Sequence, residues 1–241
     1  MAARSLAHQT SRLTRVPSAL VTGGSSGIGL AIARMLREEG HDLTLAARSV
    51  ERLDAAAAEL DALAVPANVA LEEDCARLVT AHLQRHGGLD VLVNSAGTGI
   101  AGTIGDLSTK HFDLQQAVNL RGAFLVTREA LPSLRESHGL VVNLASIAGT
   151  IPTPGLAAYG AAKAALIALT RSLVREEASH GVRATALCPG FVDTPMTEWT
   201  GIAGDEMIQS EDCAEIVRSL LRLSPAARVP VVVVERAGEG P

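Results

Sequence analysis

The only tyrosine of this 241-residue chain, Tyr159, stands four residues before Lys163 in the stretch YGAAK. On a helix that spacing puts both side chains on one face, and Gly160, Ala161 and Ala162 between them keep the face slim. A free phenol ionises near pH 10, too high to exchange protons efficiently near neutrality. A cation beside it favours the phenolate. Lowering its pKa by about 2 to 3 units takes roughly 3 to 4 kcal/mol, at about 1.36 kcal/mol per unit. The pair is thus suited to moving one proton to or from a bound molecule. Taken alone it describes an exposed helix surface equally well, so its meaning depends on what else the chain supplies.

A second chemical unit lies upstream. LVTGGSSGIGLAIARML, Leu20 to Leu36, is a strand, a glycine turn and an amphipathic helix in direct succession. Gly23, Gly27 and Gly29 let the backbone turn tightly and come close to a ligand. The helix opening near Gly27 aims unpaired amides and a positive dipole end at a phosphate, and Thr22, Ser25 and Ser26 add hydroxyl donors. A lone glycine pattern of this kind is as readily an ordinary strand-to-helix turn. About 20 residues after such glycines, a dinucleotide site places a carboxylate for a ribose 2'-hydroxyl or a cation for a 2'-phosphate. The chain here reads LAARS, and the planar fork of Arg48 suits a phosphate. The competing reading makes Arg48 a solvated residue that opens the next helix.

The spacing TGxxxGxG resembles the short-chain dehydrogenase/reductase family, and further motifs follow in that family's order. These are NSAG at Asn94 to Gly97, Asn119 in VNLRG, Ser146, YGAAK, and CPGFVDTPM after the sixth strand. The resemblance runs from about Ala19 to Glu235. It implies that Gly23, Ser25, Ser26, Gly27, Ile28 and Gly29 wrap the pyrophosphate and adenosine ribose of a nicotinamide dinucleotide. By the same resemblance Asn94, Ala96 and Gly97 border the cofactor, while Pro189, Gly190, Val192 and Thr194 lie beside the nicotinamide, with Thr194 on its carboxamide. Ala47 fills the position where NAD-preferring members usually carry an acid, so NADP(H) is expected over NAD(H), with Arg48 on the phosphate. Asn68 and Val69 depart from the family's usual Asp-Val. Asn both donates and accepts, so adenine binding is expected to persist with altered hydrogen bonds.

The resemblance further implies hydride transfer between the nicotinamide and a small-molecule carbonyl or secondary alcohol. Tyr159 would act as general acid and base, its pKa lowered jointly by the Lys163 ammonium and the positive charge of the oxidised nicotinamide; Ser146 would polarise the substrate oxygen, and Lys163 would bind the nicotinamide ribose. Asn119, a poor helix former in a long helical pattern, would hold a relay water. Rival readings are a non-catalytic NADP-binding redox sensor or scaffold, and an epimerase or dehydratase on a related fold. The intact Ser146, Tyr159 and Lys163 set argues against the sensor. Only about 50 residues follow Gly190, short of the larger substrate domain that epimerases and dehydratases usually carry.

These residues need a frame. From Ala19 onward short apolar runs alternate with longer helical patterns: seven strands, beginning with SALVTG and ending with VPVVVVE, are separated by helices. The pattern predicts an α/β fold, a Rossmann-type doubly wound three-layer sandwich with a seven-stranded parallel sheet. Residues 18–236 are read as one catalytic domain, with residues 1–17 a flexible N-terminal extension and 237–241 a tail. Gly40, Gly139 and Gly181 are expected in the left-handed position just past a helix. Pro132, inside the pattern from Ser108 to Ser137, is expected to kink or split it. The stretch from Phe191 to Gln209 fits neither period and is a candidate lid, with Met196, Trp199, Ile202 and Met207 as walls of a substrate pocket.

Composition excludes other roles. A net charge of -5 and 2% aromatic content offer neither the basic surface nor the stacking rings of a nucleic-acid binder. No apolar run approaches the roughly 20 residues that span a bilayer, so no membrane partner is expected. The N-terminal segment carries Arg4, Arg12 and Arg15 without an acid, which fits an organelle transit segment, although a disordered tail or an upstream start site is the preferred reading. Three cysteines without a CxxC pair point to a reducing, cytoplasmic setting. Seven histidines without close ligand pairing point to no metal. The family resemblance implies a homotetramer or homodimer.

Overall fold

A computed structural model describes residues 15–238. Most of the expected N-terminal extension and the end of the tail lie outside the described residues. The expected strands form in order: β1 (Ser18–Thr22), β2 (Asp42–Ala47), β3 (Leu63–Pro66), β4 (Val91–Asn94), β5 (Leu140–Leu144), β6 (Arg183–Pro189) and β7 (Val231–Val234). All neighbours pair in parallel, in the order β3-β2-β1-β4-β5-β6-β7. The winding direction reverses between β1 and β4, which opens a crevice above the carboxyl ends of the strands.

The helices are α1 (Gly27–Glu38), α2 (Val50–Leu60), α3 (Glu72–His86), α4 (Thr109–Gln116), α5 (Gly122–Ser137), α6 (Ala157–Glu176) and α7 (Ser210–Arg222). Strand side chains alternate between the two helical layers. Val91 and Val93 join the core under α1, α2 and α7, whereas Leu92 joins the core under α3 and α5. Burial on both faces explains why these strands read as continuous apolar runs, and the three-layer sandwich stands as expected.

Local punctuation differs from expectation at two places. The pattern from Ser108 to Ser137 divides at a π-helical turn, Ala117–Arg121, and not at Pro132, which lies inside α5. The bond lost at Pro132 is offset by buried Ala130, Ser133 and Leu134 on the adjoining turns. Gly40 and Gly181 have the expected left-handed φ of 84° and 75°, but after α5 it is His138, at φ 48°, that takes this conformation. Gly139 is needed for proximity instead: a Cβ there would lie 2.6 Å from Leu134 Cδ2 and 2.7 Å from the Asp90 carbonyl.

The end of the sheet remote from the crevice carries a polar cluster in which Ser18, Thr44 and His82 are fully buried. Arg15 grips both carboxylate oxygens of Asp90 at 2.9 and 2.8 Å, and Asp90 accepts from the Ser18 amide at 2.7 Å. His82, fully buried, lies 3.0 Å from the Gly88 carbonyl through Nε2 and 2.9 Å from Thr44 Oγ1 through Nδ1. A carbonyl only accepts, so Nε2 carries the proton and Nδ1 accepts from the Thr44 hydroxyl.

Candidate active site

The glycine turn leaves β1, docks its first amides on β2, and enters α1. Ser26 caps α1 in an extended conformation without a side-chain hydrogen bond, so the leading N–H groups of the helix point out at a ligand position. Gly23 has φ 68°, and a Cβ on it would fall 2.8 Å from the Ala96 amide. At Gly29 a Cβ would fall 2.3 Å from the Gly23 carbonyl. Gly27 faces Thr194, whose Cγ2 lies 3.0 Å from where a Cβ would stand. The cradle is thus closed by β4 on one side and by the segment after β6 on the other. A backbone concavity of this shape, at a helix N-terminus with Ser25 and Ser26 beside it, fits a dinucleotide pyrophosphate.

The Gly23 amide donates to the Ala46 carbonyl at 2.7 Å, which docks the turn on the end of β2. Arg48, just beyond, is exposed and forms no ion pair among the described residues. Asn68 accepts from the Ala70 amide through Oδ1 at 3.1 Å, and its own amide donates to Asp74 at 2.8 Å. Its carbonyl oxygen therefore holds its own turn. Val69 is buried against Gly122 of α5.

Ser146 follows β5 with an extended backbone, and its hydroxyl accepts from the Ala148 amide at 3.2 Å. Tyr159 and Lys163 lie on α6, which approaches the Ser146 segment closely because of small residues. A Cβ on Gly160 would meet the Ala148 carbonyl at 2.7 Å, and one on Gly149 would meet the Lys163 backbone at 2.7 Å. The slimness read from the sequence is what lets Ser146 and Tyr159 face one another. Lys163 is 4% exposed, and its Nζ donates to the Leu144 carbonyl at 2.6 Å while standing 5.5 Å from the Tyr159 ring centroid.

The protein's own groups do not supply a lowered phenol pKa. Burial pushes the Tyr159 phenol above its ordinary 10.0, opposed by hydrogen bonding to Ser146. Burial pushes Lys163 down to about 8, with the Cys188 thiol acting in the other direction. The chain's own residues therefore do not draw the phenol toward neutrality. The Lys163 head is spent on a backbone carbonyl, and withdrawal from water penalises the phenolate more than the distant ammonium favours it.

Asn119 sits in the π-turn, 1% exposed, and holds Thr98 at both ends: Oδ1 accepts from its amide at 2.9 Å and Nδ2 donates to its carbonyl at 2.8 Å. Asn119 Oδ1 and Lys163 Nζ lie 3.1 and 3.8 Å from one point over Gly97. Gln115, one turn earlier and fully buried, accepts from the Ile100 amide at 3.0 Å. It was not singled out in the sequence, although its i,i+4 spacing to Asn119 is a usable signal. The two amides pin a loop in which Gly99 packs near the Tyr159 ring. Asn94 is a support, since its Nδ2 donates to Thr127 Oγ1 at 3.0 Å and Asn143 Oδ1 at 2.8 Å. Asn143 in turn donates to Thr170 of α6 at 2.9 Å.

A cavity of about 820 Å³ joins these parts. Ile28, Gly97, Pro189, Gly190, Val192 and Thr194 line one end, and Ser146, Tyr159 and Lys163 stand in its wall. Arg48, Asn68, Asn94, Asn119 and the turn glycines do not line it. The stretch from Phe191 to Gln209 is tied down by a bridge between Val192 and Ile208 and by short helical turns at Glu198–Thr200 and Gly204–Glu206. Met196 and Trp199 line the cavity, but Ile202 and Met207 do not. Met207 is buried beside that bridge, which holds it away from the mouth. Among the described residues no cluster of His, Cys, Asp or Glu could hold a metal, and no helix is long and apolar enough to cross a membrane.

Known proteins agree with this geometry. The short chain dehydrogenase family profile matches residues 17–201. The chain is 39% identical over 202 residues to an uncharacterized oxidoreductase of Staphylococcus epidermidis, covering 83% of this chain and 88% of that protein. It is 38% identical over 231 residues to 2-(R)-hydroxypropyl-CoM dehydrogenase of Xanthobacter autotrophicus, covering 92% and 91%. The X-ray structure of an alcohol dehydrogenase from the archaeon Thermococcus sibiricus, complexed with 5-hydroxy-NADP, superposes with a TM-score of 0.88 at 32% identity, covering 93% of this chain and 98% of that one. From its sequence, its strand order and the residues gathered at its crevice, the chain belongs to the short-chain dehydrogenase family of nucleotide-dependent oxidoreductases.

Proposed function

We propose that the protein is an NADP(H)-dependent oxidoreductase that interconverts a carbonyl and a secondary alcohol, with Tyr159 as general acid and base. The observation that carries this reading is the meeting of Ser146, Tyr159 and Lys163 in the wall of one cavity that Ile28 of the glycine turn also lines. When bound, the nicotinamide supplies or receives the hydride. Tyr159 gives the proton to the nascent alkoxide oxygen during reduction and takes it back during oxidation. Ser146 donates a hydrogen bond to that same oxygen and stabilises its developing charge. A phenol is protonated at neutral pH, and burial favours that form further, so the chain stands ready to donate a proton, as carbonyl reduction requires. Lys163, pushed to about 8, stays largely protonated at pH 7. Asn119 fixes the loop over Gly97 within reach of that ammonium and completes the set.

Preference for NADP(H) is supported by Ala47, which leaves no carboxylate for an NAD ribose, by the exposed guanidinium of Arg48 that follows it, and by the NADP derivative in the Thermococcus sibiricus relative. The reading includes a single catalytic domain over residues 18–236 in a cytoplasmic homotetramer or homodimer. Exposed Phe112, Leu114 and Phe124 on α4 and α5 support such an assembly. The test is Tyr159→Phe, assayed by dihydronicotinamide absorbance across ketones, aldehydes and secondary alcohols. Turnover should vanish while NADPH affinity persists; substantial turnover by the variant refutes the assignment. Absence of turnover in the wild type, with NADPH binding intact, favours the redox-sensor reading.

A further inference from the structure

Beyond Tyr159 the cavity continues between two apolar walls. One comes from the loop after β5, with Ile151, Pro152 and Pro154; the other comes from the segment after β6, with Phe191, Met196 and Trp199. Large apolar side chains stand open to solvent on both sides of the mouth: Ile151 is 46% exposed, Met196 45% and Trp199 65%. Facing apolar surfaces left uncovered in this way mark a place where an apolar body docks. The Phe191 and Trp199 rings meet edge to face at 6.5 Å, so one wall is a preformed aromatic corner.

The ionised groups are as informative. Among the described residues Lys163 and Glu235 are the ionisable carboxylate and amine that line the cavity, and no arginine or histidine does. Lys163 is buried in the wall and already donates to the Leu144 carbonyl. Glu235 is exposed at the rim. An anionic substituent between the walls would lose its water, find no free cation and face a carboxylate. An ammonium would lose its water against hydrocarbon and share the cavity with the Lys163 charge. Either loss goes uncompensated.

Resting on the oxidoreductase reading, we infer that the substrate is a neutral, ring-bearing ketone or the matching secondary alcohol. Its apolar body lies between the Ile151–Pro154 wall and the Phe191–Trp199 corner, and its oxygen lies at Ser146 and Tyr159. A short aliphatic ketone would leave both walls wet.

Trp199 is the single tryptophan of the chain, so its fluorescence reads binding at this wall without any need for turnover. The full-length protein is titrated with tetralone, a tetralone carboxylate, an aminomethyl tetralone and acetone, with Trp199→Phe as the control for the origin of the signal. Tetralone should shift the emission at concentrations at least tenfold lower than either charged analogue or acetone. Equal or tighter binding of a charged analogue or of acetone overturns the inference, as does the absence of any tetralone response. Tetralone binding with the expected preference, but without NADPH or NADH oxidation, would uphold the inference and defeat the proposed function. Turnover of the charged analogues as efficient as that of tetralone would do the reverse.

Discussion

His82 sets an acid limit on this fold from the end of the sheet remote from the crevice. Burial, reinforced by the nearby His86 and Arg15 charges, pushes its pKa from 6.5 to about 3. The unfolded chain then binds more protons than the folded one from pH 6.5 down to about 3, so stability falls as pH falls through that window. At pH 4 the site lies about 2.5 units below the unfolded pKa, and at about 1.36 kcal/mol per unit roughly 3 kcal/mol present at pH 7 is gone. His82→Gln removes the titration while keeping an N–H for the Gly88 carbonyl and an acceptor for Thr44. Urea unfolding followed by far-ultraviolet circular dichroism at pH 7, 5.5 and 4 should show the wild type losing about 3 kcal/mol more than the variant. The variant starts from a lower stability, so the comparison is between slopes and not absolute values. Parallel pH dependences in the two proteins refute the argument, because they would mean that the imidazole gains a proton in place.

Three other outcomes are expected. Arg48→Ala should weaken NADPH binding about 10- to 100-fold, the range that losing a charged hydrogen bond of roughly 1.5–3 kcal/mol gives, and leave NADH binding unchanged; equal effects on both by isothermal titration would remove Arg48 from the site. Gly29→Ala forces a Cβ to within 2.3 Å of the Gly23 carbonyl, so it should lower stability by about 1–3 kcal/mol and impair cofactor binding, and an unchanged melting temperature and cofactor affinity would contradict the cradle as described. Gln115→Leu strips the Ile100 amide of its acceptor, at about 1–3 kcal/mol, and should speed hydrogen exchange at Ile100; unaltered exchange would mean the loop is held by other contacts.

Much of this was readable from local sequence because the decisive units are themselves local. The glycine turn, the YGAAK face and the apolar strands each depend on residues a few positions apart, and all appear where the sequence predicts. What escaped depends on distant packing. The direction of the Tyr159 shift follows from burial created where α6 meets the loop after β5, which no spacing within α6 encodes. Gln115 gains its role only when the loop after β4 folds back to present the Ile100 amide. Ile202 and Met207 look like lid walls by hydropathy, yet Met207 is buried beside the Val192–Ile208 bridge, and of the four residues expected there Met196 and Trp199 line the cavity. His138 displaces Gly139 from the left-handed position because Gly139 is already claimed by its contacts with Leu134 and Asp90.

The π-helical turn at Ala117–Arg121 acts as a phase shifter. Each α-helical residue advances about 100° around the axis, so one extra residue between α4 and α5 sets the azimuth of the amides on the loop apart from that of the core face behind them. Removing a single residue there would leave both helices free to form, yet it would swing Gln115 away from Ile100 or turn Leu125 and Leu134 out of the core. A one-residue deletion in this short segment is therefore far more damaging than most single substitutions in either helix, and the length of the segment is as much a part of the site as any side chain it carries.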